Sequence, residues 1–150
     1  MKGYRIEKPD EVFELLSRWK NRRQENFLVI TLNGRHEIIK LHHVSKGLVN
    51  KTIIHPRECF FYAIKDYSTT VILVHNHPTG DCSPSSEDDD ITARLTMVGE
   101  LIGIRILDHI IISSKGFYSF RENGQIVDLE YDAKSEKYAD LIAAENRGKE

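Results

Sequence analysis

The sequence contains little cysteine: only Cys59 and Cys82 occur in its 150 residues. Small secreted domains that depend on disulfide bonds carry more cysteines than this. A signal peptide would place an apolar segment after a basic start, and residues 1–10 show no such layout. We therefore expect a cytoplasmic protein that folds without disulfide bonds.

The sequence also lacks a long apolar run and an excess of charge of either sign. A membrane-spanning helix needs about 20 consecutive apolar residues, and charged residues such as Asp108 interrupt every apolar stretch earlier than that. The net charge of -2 at pH 7 provides no global positive field of the kind that attracts phosphate. A membrane span is excluded, and nucleic acid remains a possible partner that the composition does not indicate.

The spacing of apolar residues predicts one α/β (α+β) domain in which helices flank a mixed β-sheet. Turn signals at Asn33-Gly34 and the helix-starting proline at Pro56 divide the predicted elements. These elements are a helix over residues 9–22, a hairpin of strands 27–32 and 38–44, a helix from Pro56 with the buried stripe Phe60, Ala63, Ile64 and Tyr67, a central strand 71–74, a helix marked by Ile91, Leu95, Val98 and Ile102 and closed by Gly103, a strand 104–112 interrupted at Asp108 and His109, a meander of strands 117–120 and 126–129, and a short helix around Tyr138, Leu141 and Ile142.

Two histidines end the predicted central strand and indicate a metal site. His75 and His77 are two residues apart, so their side chains lie on the same face of a strand. A loop that contains Pro78 and Pro84 then reverses the chain and brings Asp88 into the first turn of the next helix. Two imidazoles and one carboxylate leave a fourth position on zinc for water, which is the arrangement of a catalytic zinc.

Each part of this pattern also has an ordinary structural explanation. A His-x-His pair is usually two polar strand positions. Asp88 could complete a capping box with Ser85, and Ser86 competes with Ser85 for the N-cap of the helix. Neither explanation accounts for imidazoles and a carboxylate flanking a single loop that is rich in proline and glycine.

These residues resemble the JAMM (MPN+) motif, in which His-x-His is followed by a loop, a Pro-Ser pair and an aspartate. Residues 25–129 more narrowly resemble the C-terminal domain of the bacterial RadC family. The segments that carry this resemblance are His55-Pro56-Arg57-Glu58, His75-Asn76-His77-Pro78, Leu107-Asp108-His109 and Ser119-Phe120-Arg121-Glu122.

The resemblance implies a JAB1/MPN domain with a fold akin to the cytidine deaminases, a catalytic Zn2+ as cofactor, and hydrolysis of a peptide or isopeptide bond in a protein or peptide substrate. We expect a packed N-terminal helix at residues 1–24, the RadC-like domain at residues 25–130 and a charged tail at residues 131–150. Longer RadC proteins carry a helix-hairpin-helix segment before this domain. The chain is expected to be a short form without that segment.

Two other functions are alternatives to hydrolysis. The first alternative is a DNA-repair-associated or binding module with little or no catalysis. A zinc nucleobase deaminase would need His-x-Glu and Pro-Cys-x-x-Cys, whereas this sequence has His77 at the third position and no such cysteine pair.

The JAMM motif also requires an upstream glutamate that takes a proton from the zinc-bound water. Glu25, Glu37 and Glu58 are candidates, and Glu25, just before an apolar run, resembles the family position best. Glu58 is the second choice, although it is equally explained as a favourable charge at a helix start. Glu37 suits a solvated hairpin position. Ser85 resembles the motif serine that donates a hydrogen bond to the developing oxyanion, with the N-cap as its alternative.

Several remaining features have structural interpretations. Cys82 is expected to be a spectator, because a thiolate ligand would close the open metal position. The acidic cluster at residues 87–90 favours a helix start, and Trp19 suits the core or a helix-docking surface. The basic cluster at residues 18–23 is expected to be a solvated face. His109 has two possible roles: it orients a metal ligand through a hydrogen bond, or it is an ordinary residue of its strand.

Overall fold

The computed structural model describes residues 1–49, 54–127, 140, 143–145 and 147–148. The elements in chain order are α1 (Pro9–Leu15), a 3-10 turn (Ser17–Trp19), β1 (Asn26–Leu32), β2 (Ile38–Lys46), α2 (Pro56–Lys65), β3 (Thr70–Asn76), α3 (Ser86–Ile102), β4 (Arg105–Ser113) and β5 (Gly116–Ser119). The mixed α+β class is confirmed. The helix predicted around Tyr138, Leu141 and Ile142 lies outside the described residues.

The sheet has the strand order β2-β1-β3-β4-β5. The pair β3 and β4 is parallel, and every other neighbouring pair is antiparallel. A parallel pair needs a crossover, which α3 supplies between the two strands. All residues of the central strand β3 are buried, as predicted. Protein therefore covers both faces of this strand, and the side chains at its end point into the interior.

Alternation along the strands divides the core into two clusters. One cluster joins the sheet to α2 and α3 and includes Phe27, Leu73 and Phe60. The other joins the opposite face to α1 and includes Leu28 and Val12. We call these the α2/α3 face and the α1 face.

The structure corrects two predicted boundaries near the N-terminus. The first helix ends at Leu15 and continues only as a 3-10 turn to Trp19, rather than reaching Arg22. The hairpin turns through residues 33–37, since Leu32 pairs with Ile38, rather than through two residues. The Asn33 side chain accepts hydrogen bonds from two backbone N–H groups of this loop, which favours the longer turn.

Further corrections concern α2 and the C-terminal strands. Ile64 and Tyr67 are 63% and 92% exposed, and Tyr67 lies beyond the end of α2. Cys59, Phe60 and Ala63 form the buried face of α2 instead, because the helix packs one face against α3 and the sheet and turns the other to solvent. The strand 104–112 is continuous through Asp108, with a register shift opposite Val71 and Ile72. Residues 126–127 are not in a strand, and 128–129 lie outside the described residues.

Gly103 ends α3 in the left-handed conformation (φ 78°), as predicted. Within the described residues, no helix is long and apolar enough to span a bilayer.

Candidate metal centre

The two motif histidines lie at the C-terminal end of β3 and point to the α2/α3 face. His75 is fully buried and stacks against Phe27, with ring centroids 6.1 Å apart. The backbone N–H of His77 donates to the Ile112 carbonyl at 2.9 Å, which keeps the chain beside β4 just past the strand end. The two imidazole centroids are 4.9 Å apart, so the expected pairing of the rings on one face is observed.

Asp88 reaches the same point from the first turn of α3. Its backbone N–H donates to Ser85 Oγ at 3.1 Å, and its Oδ2 accepts from the Ser85 N–H at 2.8 Å. The capping box is therefore present, with Ser85 rather than Ser86 as N-cap. Asp88 is 2% exposed, whereas the other acidic residues of the cluster are exposed. One carboxylate thus starts the helix and also faces the histidines.

The three side chains converge at short, nearly equal distances. His75 Nε2 is 3.1 Å from Asp88 Oδ1, and His77 Nε2 is 3.1 Å from Asp88 Oδ2. The two Nε2 atoms are 3.0 Å apart. Ligands about 2.0–2.1 Å from a tetrahedral zinc ion lie about 3.3 Å from one another. His75, His77 and Asp88 could therefore hold a metal ion with little rearrangement.

The charges of this cluster are coupled. Burial alone would raise the pKa of the Asp88 carboxyl, but hydrogen bonds from His75 and His77 outweigh it and hold that pKa well below its usual range. Burial lowers the pKa of His77, and the hydrogen bonds to Asp88 and to the Asp81 carbonyl raise it above the ordinary value. The Asp88 carboxylate is thus ionised. It attracts positive charge at this point, either a protonated His77 imidazole or a metal ion.

The loop after β3 fixes the orientation of His77. Its Nδ1 lies 2.8 Å from the Asp81 carbonyl oxygen, and a carbonyl oxygen only accepts hydrogen bonds. Nδ1 therefore carries a proton, which leaves the lone pair of the neutral ring on Nε2, the atom that faces Asp88 and His75. The loop that reverses the chain also orients a ligand.

His109 lies directly behind His75, on β4. Its Nε2 is 2.8 Å from His75 Nδ1, and its Nδ1 is 2.5 Å from Thr92 Oγ1 on α3. Burial, followed by the nearby His75, lowers the pKa of His109 well below its ordinary value, so the ring is neutral. Of the two sequence interpretations, the placement behind a candidate ligand is observed. Thr92 was missed, although its spacing of four residues from Asp88 places both on one helix face.

The three candidate glutamates occupy different parts of the molecule. Glu25 precedes β1 at the metal end of the sheet, accepts the Val49 N–H at 2.8 Å, and its charge acts on His77. Glu58 is exposed on α2. Glu37 accepts a hydrogen bond from Asn33 in the hairpin turn, at the opposite end of β1. Glu25 is thus the candidate at the metal end of β1.

The remaining loop residues have structural positions. Ser85 is exposed and caps α3, so its N-cap reading is confirmed. Cys82 packs against the core of the α2/α3 face and is not part of the metal-ligand group found among the described residues. Cys59 is 2% exposed, and burial raises the pKa of its thiol to about 12, as expected for a packed apolar residue.

Comparison with known proteins agrees with this architecture. The RadC-like JAB domain family matches residues 6–125. The chain is 48% identical over 124 residues to a UPF0758 protein of Alkaliphilus metalliredigens, covering 82% of this chain and 53% of that protein. It is 46% identical over 123 residues to a UPF0758 protein of Geotalea uraniireducens, covering 81% and 54%. It is also 49% identical over 121 residues to a UPF0758 protein of Pelobacter propionicus, covering 80% and 53%.

The match to the family takes in α1, the whole sheet and α3. The chain belongs to the RadC-like JAB domain family, and its five-stranded mixed sheet flanked by helices is a JAB/MPN fold. It spans about half the length of the curated relatives it matches.

Proposed function

We propose that this protein is a zinc-dependent hydrolase of the JAMM type that cleaves peptide or isopeptide bonds in a protein or peptide substrate. The observation that carries the proposal is the convergence of His75, His77 and Asp88, whose facing atoms are 3.0–3.1 Å apart. Membership of the RadC-like JAB domain family supports it, since the JAMM motif belongs to metalloproteases and isopeptidases.

A zinc ion held by these residues supplies two effects: it lowers the pKa of a bound water from about 15.7 toward 7, and it polarises the scissile carbonyl. Glu25 accepts the proton of the attacking water and transfers it to the departing amine. The backbone N–H of Val49 donates to Glu25 Oε2 and holds that carboxylate oxygen, while Oε1, which accepts no hydrogen bond from the residues that the structure describes, exchanges the proton.

Ser85 combines its two proposed roles. Its Oγ uses a lone pair to accept the Asp88 N–H, so the hydroxyl proton remains available as a donor. An exposed hydroxyl at the start of α3 donates to the carbonyl oxygen that becomes negative during the reaction. Capping of the helix and stabilisation of the oxyanion are therefore compatible.

Metal analysis tests the metal assignment. Protein without an affinity tag, purified without added zinc, is expected to contain close to one zinc per chain by plasma mass spectrometry, and His77→Ala is expected to lose it. Iron(II) also accepts two histidines and a carboxylate, so iron in place of zinc would contradict the assignment. A metal-free wild type together with an unaffected His77→Ala would end the hydrolase proposal.

A mixture of isopeptide-linked and internally quenched peptides tests the reaction. Hydrolysis by the zinc-loaded wild type should stop on chelation and return when zinc is restored. Loss that does not return with zinc would indicate damage by the chelator rather than a zinc-dependent step.

A groove on the α1 face favours a second candidate function, the binding of nucleic acid. This cavity of about 710 Å³ is lined by the cations Arg22, Arg23 and Lys46 together with Trp19 and contains no carboxylate among its lining residues. In the described part of the chain, none of the three cations forms an ion pair with a carboxylate, and the Arg22 guanidinium lies over the Trp19 ring, 5.1 Å from its centroid. Cations without a paired carboxylate suit an anionic ligand.

The groove lies at the same end of the sheet as the metal centre but on the other face. Asn76, between the two motif histidines, holds its rim by donating to the carbonyls of Arg22 and Gln24. Arg22 and Arg23 are exposed, as expected for a solvated face, and together with Lys46 they also line this groove.

Fluorescence titration with single-stranded DNA tests this candidate. Trp19 is the only tryptophan, so its emission reports on the groove directly. Arg22→Ala with Arg23→Ala should weaken binding and reduce the slope of log affinity against log salt by about 1.4, since each phosphate contact on a single strand contributes about 0.7. The matched control is Arg57→Ala with Arg94→Ala, two exposed arginines elsewhere. Equal effects of both pairs, or no binding, would exclude the groove as a nucleic-acid site.

A further inference from the structure

His109 and Thr92 belong to a buried hydrogen-bonded chain of side chains that begins at the candidate metal ligand His75. The atoms follow in order from His75 Nδ1 to His109 Nε2 at 2.8 Å, from His109 Nδ1 to Thr92 Oγ1 at 2.5 Å, and from Thr92 Oγ1 to the Asp88 carbonyl at 2.7 Å. His75 and His109 have no exposed surface, and Thr92 is 3% exposed. The chain therefore begins at one candidate ligand and ends on the backbone of another, Asp88.

The position of the proton on His75 determines which atom donates and which accepts in every other hydrogen bond of this chain. If His75 offers the lone pair of Nε2 to a metal ion, the proton of the neutral ring lies on Nδ1 and is donated to His109 Nε2. His109 then carries its own proton on Nδ1, and Thr92 Oγ1 accepts it. The Thr92 hydroxyl donates onward to the Asp88 carbonyl, which only accepts. One arrangement of protons satisfies every bond.

We propose that Thr92 and His109 are positioning residues that hold His75 in the tautomer and ring orientation needed to bind the metal ion. This inference rests on the proposed metal site and adds to it the groups that prepare one ligand. Partners behind a ligating histidine commonly contribute about 10–100-fold in metal affinity. The JAMM motif itself contains neither residue.

The structure also immobilises His109 from its other side. Phe120 stacks on the imidazole with centroids 4.8 Å apart and planes 9° from parallel. Asp108 anchors the turn that carries this ring, because its carboxylate accepts the Ser119 hydroxyl at 2.6 Å and the Arg121 N–H at 3.0 Å. The segments around Asp108 and Phe120 therefore act together to fix the His109 ring.

Variants of Thr92 separate its hydroxyl from its shape. Thr92→Val keeps the branched shape and removes the acceptor, so His109 Nδ1–H is left without a partner in a buried site. Thr92→Ser removes a methyl group and keeps the hydroxyl. We expect zinc affinity, measured by competition with a chromophoric chelator, to fall about 10–100-fold in Thr92→Val and to remain near wild type in Thr92→Ser.

The matched control is Thr96→Val. Thr96 lies one turn further along α3 and donates to the Thr92 carbonyl at 2.7 Å in the same back-bonded geometry, but no contact with His109 is found in the described structure. Its substitution should leave zinc affinity unchanged. Equal affinity of Thr92→Val and wild type, or an equal loss in Thr96→Val, overturns the proposal.

A spectroscopic measurement gives an independent readout. In the zinc-loaded wild type labelled with ¹⁵N-histidine, long-range ¹H–¹⁵N correlation should show His109 protonated on Nδ1. Protonation on Nε2 overturns the proposal, and this holds even if Thr92→Val fails to fold. If the wild type binds no zinc, the proposed function itself is contradicted. If the wild type binds zinc and Thr92→Val binds it equally tightly, only the positioning role is contradicted.

Discussion

Phe27 and His75 face each other across the antiparallel pairing of β1 with β3. Glu25 lies just before β1 and His77 just after β3, at the same end of the sheet, and the charge of Glu25 acts on His77. A slip of one residue in β1 would turn the side chains of that strand, Phe27 among them, to the α1 face. The pairing of β1 with β3 therefore brings the proposed general base to the end of the sheet that carries a proposed metal ligand.

Substitution of the proposed base should separate catalysis from metal binding. We expect Glu25→Gln to lower kcat about 10²–10⁴-fold and to leave zinc content unchanged, because the amide oxygen still accepts the Val49 N–H. The measurement is single-turnover hydrolysis of a cleaved peptide with metal analysis of the same sample. Glu58→Gln is the control, and the assignment would be reversed if that variant alone lost activity.

Zinc should stabilise the protein through Asp88. A ligand at about 100 times its Kd contributes about 2.7 kcal/mol, which corresponds to about 5–10 °C in Tm for a domain of this size. We expect this rise in the wild type and its loss in Asp88→Asn, whose neutral side chain can still accept the Ser85 N–H but binds zinc weakly. Asp90→Asn, an exposed change on the same helix, should respond like the wild type. A full zinc response in Asp88→Asn would remove Asp88 from the ligand set.

The contact between His42 and Asp66 should affect stability in acid. Burial alone would raise the pKa of the Asp66 carboxyl. Hydrogen bonds from His42 and Thr31, at 2.6 and 2.7 Å, outweigh this effect, so the folded pKa lies below the ordinary value. The stabilisation is present above the unfolded pKa of about 3.9 and is lost as pH falls through the lower folded pKa. Urea unfolding between pH 6 and pH 2 should therefore show a shallower acid decline for Asp66→Asn. Asp90→Asn should keep the wild-type slope, and parallel curves for all three proteins would refute the assignment.

Gly99 allows α3 to pass close to the Ile104 carbonyl, just beyond the helix end, and to Phe60 on α2. A Cβ at this position would lie 2.4 Å from the Ile104 carbonyl oxygen and 3.2 Å from Phe60 Cζ. Gly99→Ala should therefore lower the free energy of unfolding by about 1–3 kcal/mol through overpacking. Chemical denaturation measures this, with Gly34→Ala as control, where the nearest atom is 3.9 Å away. Equal stability of the two variants would show that α3 shifts at little cost.

The local pattern of the chain was enough to predict the candidate metal ligands. Two-residue alternation puts His75 and His77 on one face, and the helix-start signature puts Asp88 in the first turn of α3; both relationships depend on backbone geometry over a few residues. The central strand and the Gly103 stop of α3 were predictable for the same reason.

The predictions that were wrong depended on packing between distant segments. Which face of α2 is buried depends on where α3 lies, so Ile64 and Tyr67 were misassigned. The length of the first helix likewise depends on how Trp19 docks on the sheet, and no local signal marks its end at Leu15.

The sequence by itself indicated the mixed fold and the three side chains that could hold a metal ion, because these follow from short-range periodicity and spacing, and it suggested the family only through the resemblance of its motifs. Only the tertiary structure decided that Glu25 lies at the metal end of the sheet, that Thr92 and His109 stand behind His75, and that the basic residues near Trp19 line a cavity. Those relationships join residues far apart in the chain, and strand register and helix packing, rather than local propensity, bring them together.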